Sequence, residues 1–320
     1  MIIIKHILTI LIFYSHCFRA DVFGIYEKYP SRRNFEHWDS QHWNNNHARE
    51  LYFLSHDPDD PTGRSQKRGK GTFKIDGNGV LEMGGKEPRI YINDKPNHKF
   101  INTETTIYYK RSGTDGTDWS GLIIGCRSTS YGHSSVGRKA TTYYARLQHN
   151  GKVDFSKELV HSYSEYYWKG LHKKGVFYTT GVLPSNKWIG MKFIVFTPLN
   201  DNTVTKLELY LDTTTEGDTN LIGTASNWVK IGEMLDNGNF PVKIKSDGTK
   251  DNKVIIEGSG TVFIRNTGIA AAYYKWFSVR EITCSFTTSS SSSSSVSSEQ
   301  NSSAFITMFK WWHFISLIYR

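Results

Sequence analysis

The chain has 320 residues, with 39 Lys and Arg against 30 Asp and Glu for a formal charge of +9, and 38% of its residues are hydrophobic. That length holds one large β domain or two smaller ones, and the composition favours a β protein. The positive charge points to a polyanionic partner, and 18 Tyr, 18 Phe, 9 Trp and 27 Gly favour strands and turns over helices.

At the amino terminus an apolar run from Ile2 to Phe13, interrupted by Lys5 and His6, leads to Ser15, Cys17 and Ala20. It is too short to span a bilayer and reads as a signal peptide, residues 1–20, cleaved near Ala20. A secreted or surface location follows. The polyanion is then an acidic polysaccharide or an anionic surface rather than nucleic acid. Cleavage leaves Cys126 and Cys284, which an oxidising compartment allows to pair; Cys126 sits in an apolar alternation and reads equally as core.

Residues 21–64 read as a partly irregular lead-in that packs on the sheets. His37, His42 and His47 recur every five residues, a spacing that suits neither a helix face nor a strand face, and Cys or carboxylate partners do not complete a ligand set. Asp57-Pro58-Asp59-Asp60-Pro61 has the carboxylates for calcium but the prolines of an ordinary solvated turn. No metal site and no cofactor is read from the chain.

Strands follow. Gly71 to Ile75 and Val80 to Met83 flank Asp76-Gly77-Asn78-Gly79, and a second hairpin turns at Asn150-Gly151. Four segments set an apolar row against a polar one: Arg89, Tyr91 and Asn93; Thr106, Tyr108 and Lys110; Ile123, Gly125 and Arg127; and Tyr144, Arg146 and Gln148 opposite Tyr143, Ala145 and Leu147. Side by side in one sheet, they make a basic, Tyr-lined surface whose rings suit sugar faces and whose guanidinium and amide groups suit hydroxyls or carboxylates. A solvated sheet face gives the same pattern. His161 to Lys174, rich in Tyr, Trp and Lys, reads as a lid or a cap. Later strands are Trp188 to Phe196, Lys206 to Asp212, Trp228 to Met234, Val254 to Glu257, Val262 to Asn266 and Tyr274 to Ile282. The fold class is all-β, a two-sheet antiparallel β-sandwich with few short helices. Residues 65–285 form its domain and 286–303, with an unbroken Ser289 to Ser295, a stalk carrying the sequon Asn301-Ser302-Ser303. Residues 304–320 are an apolar tail, read as a glycolipid-anchor signal or a membrane-interface tether.

Thr261-Val-Phe-Ile-Arg-Asn-Thr-Gly268 followed by Tyr274-Lys-Trp-Phe-Ser-Val-Arg-Glu-Ile282 resembles the closing strands of concanavalin A-like jelly rolls. Trp188 to Phe196 with Lys206 to Asp212 looks like the paired back-sheet strands of that superfamily, so the resemblance runs loosely over residues 65 to 283. It implies two sheets, one concave, with glycan held across the concave face by a lectin, a binding module, a hydrolase or a lyase. Hydrolysis needs two carboxylates in concert, and Glu208 with Asp212 on a leucine-backed strand do not supply them. A lyase needs a carboxylate neutraliser, from Arg89, Arg127, Arg146 or Gln148, and an acid and base, from Tyr91 or Tyr144 with His149 or His161. Alginate-type lyases of this fold carry Gln-x-His on one strand, whereas Gln148-His149 are adjacent here and point to opposite faces. The expectation is a monomeric carbohydrate-binding protein taking acidic polysaccharide on Arg89, Tyr91, Lys110, Arg127, Arg146 and Gln148. The alternatives are a lyase using Tyr144 and His161, and a non-glycan adhesion or structural surface protein.

Overall fold

A computed structural model describes residues 19–31, 36–85, 87–97, 99–112, 121–129, 141–159, 164–165, 167–171, 183–212, 227–244, 248–257 and 260–283. Its strands in chain order are β1 (His37–Asp39), β2 (Arg49–Glu50), β3 (Ser65–Arg68), β4 (Thr72–Ile75), β5 (Leu81–Gly85), β6 (Arg89–Ile92), β7 (Thr103–Ser112), β8 (Gly121–Ser128), β9 (Thr142–Gln148) and β10 (Val153–Glu158). They continue with β11 (Ser164–Glu165), β12 (Tyr167–Leu171), β13 (Ile189–Phe196), β14 (Thr205–Asp212), β15 (Trp228–Asp236), β16 (Val242–Ile244), β17 (Lys250–Asp251), β18 (Thr261–Thr267) and β19 (Ile269–Glu281). A single 3-10 turn, Gln41–Trp43, is the helical content of the described residues, and no helix among them is long and apolar enough to cross a membrane.

Two antiparallel sheets carry the fold. The larger has nine strands in the order β15-β14-β13-β7-β19-β5-β4-β2, with β1 also on β19; the other has seven, β12-β10-β9-β8-β18-β6-β3. A small third sheet joins β11, β16 and β17. Period-two alternation sets the interior: Ile90 and Ile92, Leu122 and Ile124, Tyr143, Ala145 and Leu147, and Val262 with Ile264 face Ile107, Phe193, the leucines of β14, Tyr274 and Val279 in one buried cluster. Phe155 of β10 and Phe193 of β13 stack across the gap with ring centroids 6.0 Å apart. The two-sheet sandwich is the expected architecture.

The turns form where glycine permits them. Gly77 and Gly79 take φ of 79° and 94° between β4 and β5, and Gly151 takes 76° between β9 and β10, where Gln148 and Lys152 close the hairpin at 2.8 Å. Val254 to Glu257 is not a strand. Its buried Ile255 instead turns a backbone carbonyl inward to accept from Arg127, so burial rather than pairing explains its apolar residues. Cys126 is a free thiol in the core, and burial raises its pKa to about 11. Cys284 lies outside the described residues.

Part of the outward side of the nine-stranded sheet is itself covered. Phe23, Ile25, Tyr26 and Tyr29 pack on Tyr108, Ile194, Phe196 and Tyr210. Beneath them Glu104 accepts from Lys192 at 2.6 Å, from Arg280 at 2.5 Å and from the backbone N–H groups of Lys28 and Tyr29, so one buried carboxylate ties the segment to β7, β13 and β19. Burial alone would raise the Glu104 pKa; the two cations and these hydrogen bonds lower it instead.

Candidate functional site

The outward side of the seven-stranded sheet carries two transverse rows. Antiparallel register places Gln66, Tyr91, Phe263, Gly125, Tyr144 and Ser156 opposite one another in turn on β3, β6, β18, β8, β9 and β10. The next row is Arg68, Arg89, Arg265, Ile123, Arg146 and Asp154. Three arginines therefore sit directly opposite each other on adjacent strands.

The first row is an aromatic cluster separate from the interior, made of Tyr91, Ile123, Tyr144 and Phe263. Tyr91 stacks on Phe263 at 4.8 Å between centroids, and Tyr144 meets the same ring edge-on at 5.8 Å. Gly125 makes this possible, because a Cβ there would lie 2.4 Å from the Phe263 ring. The cluster is buried, with Tyr91 4% and Tyr144 6% exposed.

In the second row the two ends differ. Arg146 binds Asp154, Nη2 to Oδ2 at 2.7 Å, and Gln148 Nε2 donates to the same carboxylate oxygen. Tyr144 Oη donates to Glu158 Oε2. At the other end Arg89 has, among the described residues, only Glu87, at 3.4 Å, and the buried Nε of both Arg89 and Arg265 has no acceptor among them. This end opens at the β3 edge into a cleft of about 620 Å³ lined by His56, Gln66, Arg68, Asn93, Lys95 and Lys99 among others. Gln66 organises its floor: Oε1 accepts from Arg68 Nε at 3.0 Å, and Nε2 donates to the Leu54 carbonyl at 2.9 Å.

Five of the eight residues singled out in the sequence, Arg89, Tyr91, Tyr144, Arg146 and Gln148, meet on this face. Two do not. Lys110 lies on β7, in the nine-stranded sheet between β13 and β19, and belongs to the opposite side of the molecule. Arg127 has φ of 53° at a bulge between β8 and β18, which turns it into the sandwich. There it donates to Ile101 O, Ile255 O, Asn102 Oδ1, Thr197 Oγ1 and Thr205 Oγ1, at distances from 2.6 to 3.0 Å, and burial lowers its pKa to about 10. It is a bracket between sheets. His161 lies outside the described residues, as does much of the aromatic stretch to Lys174. Gln66, Arg68, Phe263 and Arg265 were missed; the alternation of Phe263 and Arg265 with Val262 and Ile264 carries the signal for two of them.

Two of the lead-in histidines, His42 and His47, meet the acidic turn, while His37 pairs with Asp39. Arg49 binds Asp57 through Nε and Nη2 at 2.6 and 2.7 Å, His42 Nε2 lies 3.2 Å from Asp57, and His47 Nδ1 lies 2.6 Å from Asp59. Asp60 accepts from Ser65, Thr62 and the Trp38 indole. The carboxylates are thus engaged with protein donors and fasten the turn to the lead-in.

No protein-family model matches the chain, and no curated protein does. Solved structures align with it at low similarity. The alginate lyase Aly36B aligns with a TM-score of 0.39 and 13% identity over 80% of this chain and 98% of its own. Arcelin-5, a lectin-like defence protein from Phaseolus vulgaris, aligns at 0.37 and 13% over 73% and 99%. A legume lectin-like domain from Entamoeba histolytica aligns at 0.38 and 8% over 73% and 97%. At such values the likenesses assign neither a family nor an activity.

Proposed function

We propose that this chain is a carbohydrate-binding protein that holds acidic polysaccharide on the outward side of its seven-stranded sheet, entering from the cleft at the β3 edge. The observation that carries the reading is the direct opposition of Arg68, Arg89 and Arg265 on three neighbouring strands. Like charges in that relation destabilise a sheet, and two of these guanidinium groups keep a buried donor without an acceptor among the described residues. A carboxylate-bearing polymer removes both costs, since guanidinium forks match carboxylates. Tyr91 and Phe263 lie one row away as a buried stacked pair that backs the arginine row. Arg146 and Gln148 are engaged with Asp154 and brace the far end rather than greet the ligand first. We take the protein to be secreted or surface-tethered, and to act as a monomer.

The test is retention on uronate polymers against a neutral glucan, with Arg89→Ala and Arg265→Ala compared to the parent. Loss of retention in the variants supports the reading; unchanged retention overturns it.

A second reading, a lyase, is favoured by one contact. Tyr144 donates to Glu158 and stands two residues from Arg146 on the same face. In β-elimination a base takes the C5 proton, the C4–O bond breaks as the C4–C5 double bond forms, and the leaving oxygen takes up a proton. Tyr144 would exchange that proton. New ultraviolet absorbance from the unsaturated product, lost in Tyr144→Phe, distinguishes this from binding alone.

A further inference from the structure

A second cleft, of about 660 Å³, opens on the opposite sheet. Its base is built from β7 and β19. Lys110 pairs across the strands with Tyr273, and Lys275 follows two residues on, so both ammonium groups rise from the same face of the sheet. Trp188, at the entry to β13, stands between them: Lys110 Nζ lies 4.8 Å and Lys275 Nζ 4.4 Å from its ring centroid. Tyr273 flanks Lys110 at 5.0 Å, and Trp276 flanks Lys275 at 3.8 Å.

Lys275 is 7% exposed, and among the described residues neither ammonium has a hydrogen-bond acceptor or a carboxylate partner. An unpaired buried charge is costly, and cation–π contacts worth about 0.5–2 kcal/mol each offset only part of it. Burial, together with the Lys110 charge, lowers the Lys275 pKa to about 8. The backbone is also distorted here. Trp276 has φ of 53° at a bulge in the β19–β7 pairing, a left-handed conformation that a bulky residue rarely takes, and its side chain lines the cleft. The rim is of another kind: Ser40, Gln41 and Asn44 from the 3-10 turn face Asn78 from the β4–β5 turn, all short hydrogen-bonding groups.

We propose that this cleft is a second ligand site, taking the carboxylate of a single acidic sugar residue between Lys110 and Lys275, with its ring against Trp188 and Trp276 and its hydroxyls toward the polar rim. The two ammonium groups without a counter-ion select the anion. The indoles and amides select a polyhydroxylated ring over a bare inorganic anion. The inference stands apart from the arginine face, which lies on the other sheet.

Intrinsic tryptophan fluorescence of the full chain tests it, titrated with glucuronate, glucose and inorganic sulfate. Saturable quenching by glucuronate is expected, with glucose inert and sulfate weaker. Lys275→Met lowers the glucuronate affinity about tenfold or more, as loss of a charge-assisted contact does, and Lys110→Met does the same. Lys275→Met also raises the melting temperature of the ligand-free protein, because it removes a buried unpaired charge, so loss of binding cannot be ascribed to loss of fold. Arg89→Ala retains the quenching, which separates this site from the other face. Equal response to glucose, sulfate binding as tightly as glucuronate, or unchanged affinity in both lysine variants overturns the proposal.

Discussion

Lys157 and Asp236 meet at 2.9 Å across the interior of the sandwich, with no exposure of either side chain. One comes from β10 and the other from the end of β15, so the pair joins the two sheets. Asp236 also accepts from Tyr143 Oη at 2.6 Å, and Lys157 donates to the Lys253 carbonyl at 2.8 Å. Removing one partner strands the other charge, which costs about 3–5 kcal/mol, while replacing both by apolar groups costs less. Urea unfolding of Lys157→Met, Asp236→Leu and the double variant should show each single change losing that amount and the double losing less than their sum.

Arg127 is the second bracket. Its guanidinium donates to acceptors on four segments, sharing the Ile255 carbonyl with Thr205 Oγ1. Lysine offers a point charge in place of a planar fork, so Arg127→Lys leaves several buried acceptors unmet and should lose about 3 kcal/mol in urea unfolding. Retention on polysaccharide at low temperature should be unchanged, since the side chain points away from the arginine face.

Arg127 and Lys110 mark what the sequence could and could not reveal. Tyr143, Ala145 and Leu147 fall inside and Tyr144, Arg146 and Gln148 outside, as their alternation predicts, and the leucines of β14 face the core. Strict period two is enough wherever a strand is unbroken. Arg127 obeys the same alternation on paper, yet one bulge reverses its side, and nothing local announces a bulge. Lys110 alternates correctly too, but the pattern of one strand is silent on which sheet it joins. That choice rests on pairings such as Gly190 with Tyr108 and Lys275 with Tyr108, which are distant in the chain. Arg68 sits in a run of polar residues without alternation, so only its register opposite Arg89 exposes its place in the site.

Acid should weaken the fold at an identifiable point. Burial would raise the Asp60 pKa, but hydrogen bonds from Ser65, Thr62 and Trp38 outweigh it and hold the pKa at about 2 against 3.8 for the free side chain. A folded pKa below the unfolded one gives stability that is full above 3.8 and is lost as pH falls toward 2. The contribution is about 2 kcal/mol. The urea midpoint of the parent should decline through this window, and Asp60→Asn should show lower stability at neutral pH and a shallower acid decline.

Arg146 and Arg89 should behave differently when truncated. Arg146→Ala leaves the buried Asp154 without its ion pair and should lower the melting temperature by several degrees. Arg89→Ala relieves the opposition with Arg68 and Arg265 and should leave the melting temperature unchanged or raised. Thermal unfolding of the two variants side by side separates a brace from a ligand-facing group.

Salt-gradient elution from an immobilised uronate polymer tests the arginine row most directly. The parent should elute at higher salt than the Arg89→Ala/Arg265→Ala double variant and should pass unretained through a neutral glucan column. Co-elution of parent and variant from the uronate column, or equal retention on both polymers, would contradict the account.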